Sequence, residues 1–250
     1  MKRDNGVTRR YMAEAGVGPR QRVLEIGCGG GEVTEALAEL VGSTGAVVAI
    51  DRHEGALAQA RERLAGYAQV EFVCADAAGD LSGLDRFDAA PFDVLAGRRV
   101  LMYLREPAAV LGRLGRWLRS GGLVVFEESD LSMVPARLQP LPAHDRAVDW
   151  IRRTLRAEGA QPAMGLALPA TLIEAGYRFE RVRAEAVIQG QGTQYPLSTL
   201  LQLMTQRMVV AGIATQDAVE ALRAELQVEG LEPGCVYVSE MSFCASGRKP

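Results

Sequence analysis

The sequence has few of the residues that usually hold metal ions or form disulfide bonds. Four cysteines and two histidines occur among 250 residues, and no two cysteines are spaced C-x-x-C. Without such a pairing, and with so few cysteines, neither a zinc site nor a disulfide framework is expected. We predict free thiols in a reducing cytoplasm and no bound metal ion.

Excess positive charge and long apolar runs are also lacking. The formal net charge is −3, which gives no electrostatic reason to expect binding to nucleic acid or to an anionic membrane. No apolar run approaches the length of a membrane span, and no apolar stretch follows the charged N-terminal residues as it does in a signal peptide. The expectation is a cytoplasmic protein with a small-molecule substrate and neither a membrane nor a nucleic-acid partner.

Glycine, by contrast, is concentrated at one place near the N-terminus. The run VLEIGCGGGEVT at residues 23–34 predicts a buried strand, a tight turn and the start of a helix, with Gly27, Gly29 and Gly31 in the turn. Glycine has no Cβ, so a ligand can approach such a turn closely. Free N–H groups at the start of the helix favour anionic or polar ligand atoms. The alternative is an ordinary turn in which the glycines only reverse the chain.

The spacing of these glycines argues against a dinucleotide ligand. It is G-x-G-x-G rather than G-x-G-x-x-G, and Glu25 stands near the end of the strand, where it would repel a pyrophosphate. A cationic ligand is favoured there instead. S-adenosylmethionine (SAM) carries a sulfonium and an ammonium group and no phosphate, so it fits this charge.

Acidic residues also follow the next two predicted strands. The strand at 46–51 ends in Asp51, which can accept hydrogen bonds from both hydroxyls of a ribose. Asp51 can equally cap the following helix. A third strand, at 70–74, precedes Asp76 and Ala77, where a carboxylate and a backbone N–H can bond an adenine ring. The alternative for Asp76 is a solvated loop residue.

The chain resembles the class I SAM-dependent methyltransferases, in their small-molecule (type 11, UbiE-like) branch. The similar segments occur in the family's order and spacing: LEIGCGGG at 24–31, VVAID at 47–51, FVCADA at 72–77, FDVLAGRRVLMYLREP at 92–107 and LRSGGLVVFEE at 118–128. The resemblance is firm over about residues 20–130 and loose beyond. It implies an α/β fold with a Rossmann-like, doubly wound sheet of seven mainly parallel strands, an antiparallel last strand and helical lid insertions.

The resemblance also implies where the cofactor SAM is held. The glycine turn lines the methionine end, Asp51 holds the ribose, and Asp76 and Ala77 flank the adenine. The complete predicted set of cofactor-binding residues is Glu25, Gly27, Cys28, Gly29, Gly31, Asp51, Arg52, Asp76, Ala77 and Arg98.

One domain is expected to span residues 1–250. It comprises an N-terminal helical segment (1–18), a SAM-binding core (19–130), a helical lid (131–172), and the last two strands (173–250) with a helical insertion at about 190–232. Within these segments we expect helices at Pro107–Arg119, Pro196–Val210 and Gln216–Leu226, and strands at Phe92–Gly97, Leu123–Glu127, within Tyr177–Ile188 and at Cys235–Ala245.

Methyl transfer is an in-line displacement from an activated donor, so the protein mainly positions the acceptor and excludes water. A base helps when the acceptor is a phenol, an alcohol or a carbon acid. Candidate bases are His144 in the lid, with Asp145 to orient it, and Glu128 and Asp130 after the fifth strand. For His144 the alternative is a structural histidine, and for the acids it is solvation or helix capping.

The acceptor is expected to be a small, largely apolar metabolite of bacterial specialised metabolism. This prediction follows from the Leu- and Met-rich insertions and from basic residues that are nearly all arginine. The Leu and Met side chains can instead form core or a homodimer contact. Arg98, which is in the predicted cofactor-binding set, can instead orient the acceptor, cap a helix or pair with Asp93. The candidate acceptor-contacting residues are Tyr103, Trp150, Met204 and Arg207.

Two alternatives to methyl transfer stay open. Some proteins of this fold use bound SAM in cyclisation, pericyclic or decarboxylative reactions. A non-catalytic SAM-binding partner protein would have the same glycine turn without an acceptor site.

Overall fold

The computed structural model describes residues 6–133, 136–186, 188–190, 196–238 and 241–250. These residues divide into two compact units. The first unit takes the described residues of Met1–Glu128, Leu166–Arg183 and Phe243–Pro250, and the second takes those of Ser129–Gly165 and Ala184–Ser242. Whether they act as one domain with inserted lids stays a prediction.

Helices and strands alternate through most of the chain. The strands are β1 (Arg22–Ile26), β2 (Ala46–Asp51), β3 (Val70–Cys74), β4 (Phe92–Arg98), β5 (Leu118–Asp130), β6 (Arg178–Glu185), β7 (Ile188–Gln189), β8 (Tyr237–Val238) and β9 (Met241–Arg248). The α-helices are α1 (Gly6–Ala15), α2 (Glu32–Val41), α3 (Glu54–Arg63), α4 (Pro107–Leu114), α5 (Pro142–Ala157), α6 (Met164–Glu174), α7 (Pro196–Val210) and α8 (Gln216–Glu229).

A seven-stranded sheet forms the centre of the first unit, with the strand order β3-β2-β1-β4-β5-β9-β6. The pairs β1–β2, β2–β3, β1–β4 and β4–β5 are parallel. The antiparallel strands lie toward the β6 end of the sheet. The predicted Rossmann-like fold class is therefore confirmed.

The central strands are buried on both faces, which explains why they are continuous apolar runs rather than alternating patterns. Val23 of β1 and Val47 of β2 are fully buried in one cluster with Leu37 of α2. Glu32 and Glu35 lie in the first turn of α2, where acidic side chains favour the helix dipole. The helix ends at Val41, and the N–H of the following Gly42 donates to the carbonyl oxygen of Ala38. This packing fixes the turn between β1 and α2.

The predicted boundary between α4 and β5 is wrong. The helix ends at Leu114 rather than Arg119, a short 3₁₀ turn follows, and β5 already begins at Leu118. The cause is a register shift, because Phe92 pairs with Leu118 whereas Val94 pairs with Leu123. The intervening residues bulge out of the ladder, so their sequence shows no strand periodicity.

The predicted bounds of the last strand, Cys235–Ala245, are also wrong, because Tyr237–Val238 and the residues from Met241 onward belong to different sheets, and residues 239–240 lie outside the described residues. Tyr237–Val238 form β8, which pairs antiparallel with β7 in a small sheet of its own. β9 begins only at Met241. The sixth strand lies within the predicted range, at Arg178–Glu185.

The second unit contains the helices α5, α7 and α8, which contact one another. α7 has the predicted bounds, and α8 continues past the predicted Leu226 to Glu229. Residues 134–135 of the predicted lid and 191–195 of the predicted insertion lie outside the described residues, as do 1–5 of the N-terminal segment. Among the described residues, no helix is long and apolar enough to cross a membrane.

Candidate functional site

The glycine turn follows β1 and leads into α2. Gly27 and Gly29 have φ angles of 66° and 52°, in the left-handed region that favours glycine. A Cβ on Gly27 would lie 2.5 Å from Cγ2 of Val100, so a residue with a side chain would clash with Val100 at that position. A Cβ on Gly29 would meet no described atom within 4 Å, so the backbone there borders open space. A ligand can therefore approach the turn at Gly29.

Glu25 lies next to this turn, at the carboxyl end of β1. Its side chain is fully buried, and none of the described residues gives Oε2 a hydrogen-bond partner. Burial raises the pKa of Glu25 to about 7, although the neighbouring Thr34 and Arg98 act to lower it. A buried carboxylate oxygen without a donor is costly unless a ligand supplies one. The ammonium group of SAM is a donor of this kind, so the residues present fit that cofactor.

Asp51 connects the glycine turn to the end of β2. Its Oδ2 accepts the Gly29 N–H at 2.9 Å, and its Oδ1 accepts the His53 N–H at 2.9 Å. Each oxygen retains a lone pair for a further donor. The alternative that Asp51 caps α3 is wrong, because the N-cap residue is His53. Arg52 is exposed, and its Nε donates to Nε2 of His53 at 3.1 Å.

The loop after β3 carries the two residues predicted to flank adenine. Asp76 is half-buried, and its Oδ1 accepts the Ala78 N–H at 2.9 Å. Ala77 is buried, and its carbonyl oxygen accepts a hydrogen bond from Nη2 of Arg113 at 3.0 Å. α4 therefore holds this loop through Arg113, a residue that the sequence analysis did not single out.

The two remaining residues at the turn have structural contacts. Cys28 is buried, and its N–H donates to the Ile50 carbonyl oxygen at 3.1 Å. Burial is the main cause that raises the pKa of its thiol, and the negative charges of Glu25 and Asp51 raise it further. The thiol is therefore not a reactive thiolate. Gly31 precedes α2 with a φ of 80° and supplies no side-chain cap.

Arg98, at the end of β4, contacts two helices. Its Nη2 donates to Oε2 of Glu32 at 2.8 Å, and its Nη1 donates to Oγ1 of Thr8 at 3.0 Å. The alternative that it pairs with Asp93 is wrong, because Asp93 lies at the opposite end of β4. Asp93 instead accepts a hydrogen bond from Nε of Arg119 at 2.7 Å.

Glu128, at the end of β5, is not solvated and does not cap α5, the next helix along the chain. It is fully buried, and its Oε1 accepts the N–H groups of Val100 and Leu101 at 2.9 Å and 2.7 Å. Burial raises the pKa of this carboxyl to about 7, against the lowering effect of the backbone hydrogen bonds. No described residue bonds Oε2.

The other two candidate bases belong to the second unit. Oδ1 of Asp130 accepts the N–H of Ser132 at 2.9 Å and its hydroxyl at 2.6 Å. His144 is buried, and its ring packs edge-on against Tyr237 with centroids 4.3 Å apart. Burial lowers the pKa of His144 to about 4. Asp145 forms an ion pair with Arg137.

The candidate acceptor residues are divided between the two units. Tyr103, in the first unit, is 46% exposed. In the second unit Trp150 on α5 is half-buried, whereas Met204 on α7 is buried. Arg207 makes a bidentate ion pair with Glu158, with Nε–Oε1 and Nη2–Oε2 distances of 2.8 Å and 2.5 Å. Contact of any of them with an acceptor stays a prediction.

The part of the chain that the structure describes contains no set of ligands for a metal ion. No group of three or more His, Cys, Asp or Glu residues there could hold a metal ion. The residues that the structure does bring together are Glu25, the glycine turn and Asp51, all within the first unit.

The sequence is similar to known proteins over more than half of its length. A family model described as "Methyltransferase domain" matches residues 18–161. The demethylmenaquinone methyltransferase of Clavibacter sepedonicus is 40% identical over 116 residues, which are 46% of this chain and 44% of that protein. The chain spans about half the length of the curated relatives it matches.

Solved structures show the same fold. A methyltransferase-family protein from Bacillus halodurans superposes with a TM-score of 0.63 at 20% identity, covering 96% of this chain and 97% of that one. The [4+2]-cyclase SpnF superposes with a TM-score of 0.57 at 17% identity, covering 98% and 81%. At such identities the likeness is evidence for the fold alone.

Proposed function

This chain belongs to the class I SAM-dependent methyltransferase family, and we propose that it transfers the methyl group of SAM to a small, largely apolar metabolite. The observation that carries the proposal is the buried, unpartnered Oε2 of Glu25 beside a glycine turn that is open at Gly29. The pair forms a site for a ligand that combines a cation with a surface able to lie against the backbone.

We assign the methionine end of SAM to Glu25 and the turn from Gly27 to Gly29. The ammonium group would donate to Oε2 of Glu25, whose burial makes a direct charge pair stronger than it is in water. Asp51 would accept the ribose hydroxyls with the lone pairs left by Gly29 and His53. Asp76 and Ala77 would flank the adenine, held by Arg113.

SAM supplies an electrophilic methyl group, so the residues of this chain need only bind, orient and exclude water. An acceptor that loses a proton would also need a base. His144, with a pKa of about 4, is a weak base at neutral pH. Oδ1 of Asp130 and Oε1 of Glu128 are held by neighbouring donors. Any role in proton transfer for these three residues depends on the acceptor.

The proposed acceptor is an apolar metabolite of bacterial specialised metabolism. A relative whose name refers to demethylmenaquinone, an apolar quinone, supports an acceptor of this chemical character. We propose that Tyr103, Trp150, Met204 and Arg207 contact it, although the burial of Met204 and the ion pair of Arg207 also suit structural roles.

Calorimetric titration with SAM and with S-adenosylhomocysteine (SAH) tests the proposal. Wild-type protein should bind both, and Asp51→Ala should bind each about tenfold more weakly or worse, because two ribose hydrogen bonds are lost. Lack of binding by the wild type would contradict the proposal. Unchanged affinity of the variant would contradict the ribose assignment.

The fold likeness to a [4+2]-cyclase makes a non-methylating reaction the second candidate. Both candidates require bound SAM, so binding alone does not separate them. Release of SAH in step with product formation identifies methyl transfer. Turnover with SAM recovered intact identifies the second reaction type, and binding without turnover of any acceptor identifies a non-catalytic partner protein.

A further inference from the structure

We propose that Glu128 is a positioning residue of the SAM site, which holds the segment 99–103 so that Val100 supports the glycine turn. The inference rests on the proposed function, because the turn is taken to bind SAM. It assigns Glu128 a role that requires no contact with SAM or with the acceptor.

The segment 99–103 is attached to β5 through the side chain of Glu128. Oε1 of Glu128 accepts the N–H groups of Val100 and Leu101 at 2.9 Å and 2.7 Å, and the Glu128 side chain is fully buried. Buried N–H groups without an acceptor are strongly disfavoured. The carboxylate therefore fixes the position of the backbone at residues 100–101.

Arg99, the residue that precedes Val100, has an unusual backbone conformation. Arg99 has a φ of 52°, in the left-handed region that residues other than glycine rarely adopt. Its N–H donates to the Glu127 carbonyl oxygen at 2.8 Å. Such a conformation persists when the surrounding contacts enforce it. Here the end of β5 supplies contacts on both sides, through the Glu127 backbone and the Glu128 side chain.

Val100 lies beside the glycine turn. A Cβ on Gly27 would lie 2.5 Å from Cγ2 of Val100, and a Cβ on Gly97 would lie 3.0 Å from its Cγ1. The valine side chain thus occupies the space beside both glycines. A shift of the backbone at Val100 would remove the support of Gly27 and loosen the turn that the ligand approaches at Gly29.

Glu229 provides a matched control, because its carboxylate also accepts hydrogen bonds from two successive backbone N–H groups. Its two carboxylate oxygens accept the N–H groups of Ala143 and His144 at the start of α5, each at 2.9 Å, and the residue is buried. Its contacts lie in the second unit. A change there should cost stability by the same mechanism without reaching the glycine turn.

The experiment compares Glu128→Met, Glu128→Gln and Glu229→Met by calorimetric titration with SAH and by thermal unfolding. Methionine keeps the volume and removes the acceptor, whereas glutamine keeps an oxygen for the two N–H groups. Glu128→Met should weaken SAH binding about tenfold or more, and Glu128→Gln should stay within about threefold of the wild type. Glu229→Met should lower the Tm comparably to Glu128→Met and leave SAH affinity unchanged.

Wild-type SAH affinity in Glu128→Met would overturn the inference, since a purely structural or proton-accepting Glu128 would give that result. Equal losses of SAH affinity in Glu128→Met and Glu229→Met would also overturn it, because the effect would then follow from general destabilisation. Absence of SAH binding by the wild type would instead contradict the proposed function. The two failures are therefore distinguishable.

A second variant, Val100→Ala, tests the inference if Glu128→Met does not fold. Val100→Ala leaves the Glu128 hydrogen bonds in place, because they are made to backbone N–H groups, and removes the methyl groups that face Gly27 and Gly97. It should weaken SAH binding severalfold, while Val219→Ala, at a buried valine of α8, should not. Unchanged affinity in Val100→Ala would overturn the inference.

Discussion

At the scale of single residues, the site depends most on a carboxylate whose charge is costly without a ligand. Glu25 was identified from the sequence because it lies near the end of an apolar strand that precedes a glycine turn. Its burial and its raised pKa follow from the packing of β1 between β2 and β4, which no local pattern contains. The sequence therefore indicated the residue but not its protonation behaviour.

This behaviour leads to a pH-linked prediction for Glu25. With a pKa of about 7, the carboxyl carries about half a proton at pH 7 in the free protein. A bound ammonium group favours the charged form and lowers that pKa, so SAH binding at pH 7 should release up to about half a proton. Titrations in two buffers of different ionisation enthalpy measure the released fraction.

The matched variant for this measurement is Glu25→Gln, which keeps the shape and cannot titrate. It should bind SAH about tenfold more weakly, because a buried charge pair is lost, and its binding should release less proton than that of the wild type. Equal proton release by the two proteins would show that another group titrates on binding.

At the scale of helices and strands, the parts that could be predicted are those governed by local signals. The bounds of α7 follow from Pro196 and a continuous apolar pattern, and the start of α8 follows from Thr215. The start of β5 could not be predicted, because it depends on pairing between Phe92 and Leu118, which are far apart in the chain. β8 similarly depends on its pairing with β7.

The N-terminus of α8 gives a prediction for a single helix. The Thr215 side chain accepts the Ala218 N–H at 3.2 Å, as an N-cap residue does. Thr215→Ala should lower the free energy of unfolding by about 1 kcal/mol, measured by urea denaturation, and Thr215→Ser should restore most of it. SAH affinity should not change. A loss in Thr215→Ser equal to that in Thr215→Ala would contradict the capping role.

At the scale of the whole molecule, the two units differ in how well the sequence defines their role. The proposed SAM contacts all lie in the first unit, where short motifs at strand ends carry them. Three of the four predicted acceptor residues, Trp150, Met204 and Arg207, lie in the second unit. These three side chains come from two separate helices, α5 and α7, rather than from one motif, so the sequence indicates the donor and not the acceptor.

A crystal structure of the wild-type protein with SAH tests the central claim most directly. The account predicts that the ammonium group lies within hydrogen-bond distance of Oε2 of Glu25, with the ligand passing Gly29 and both ribose hydroxyls bonded to Asp51. SAH bound elsewhere on the molecule, or bound at the glycine turn with its ribose away from Asp51 and its ammonium group away from Glu25, would contradict it.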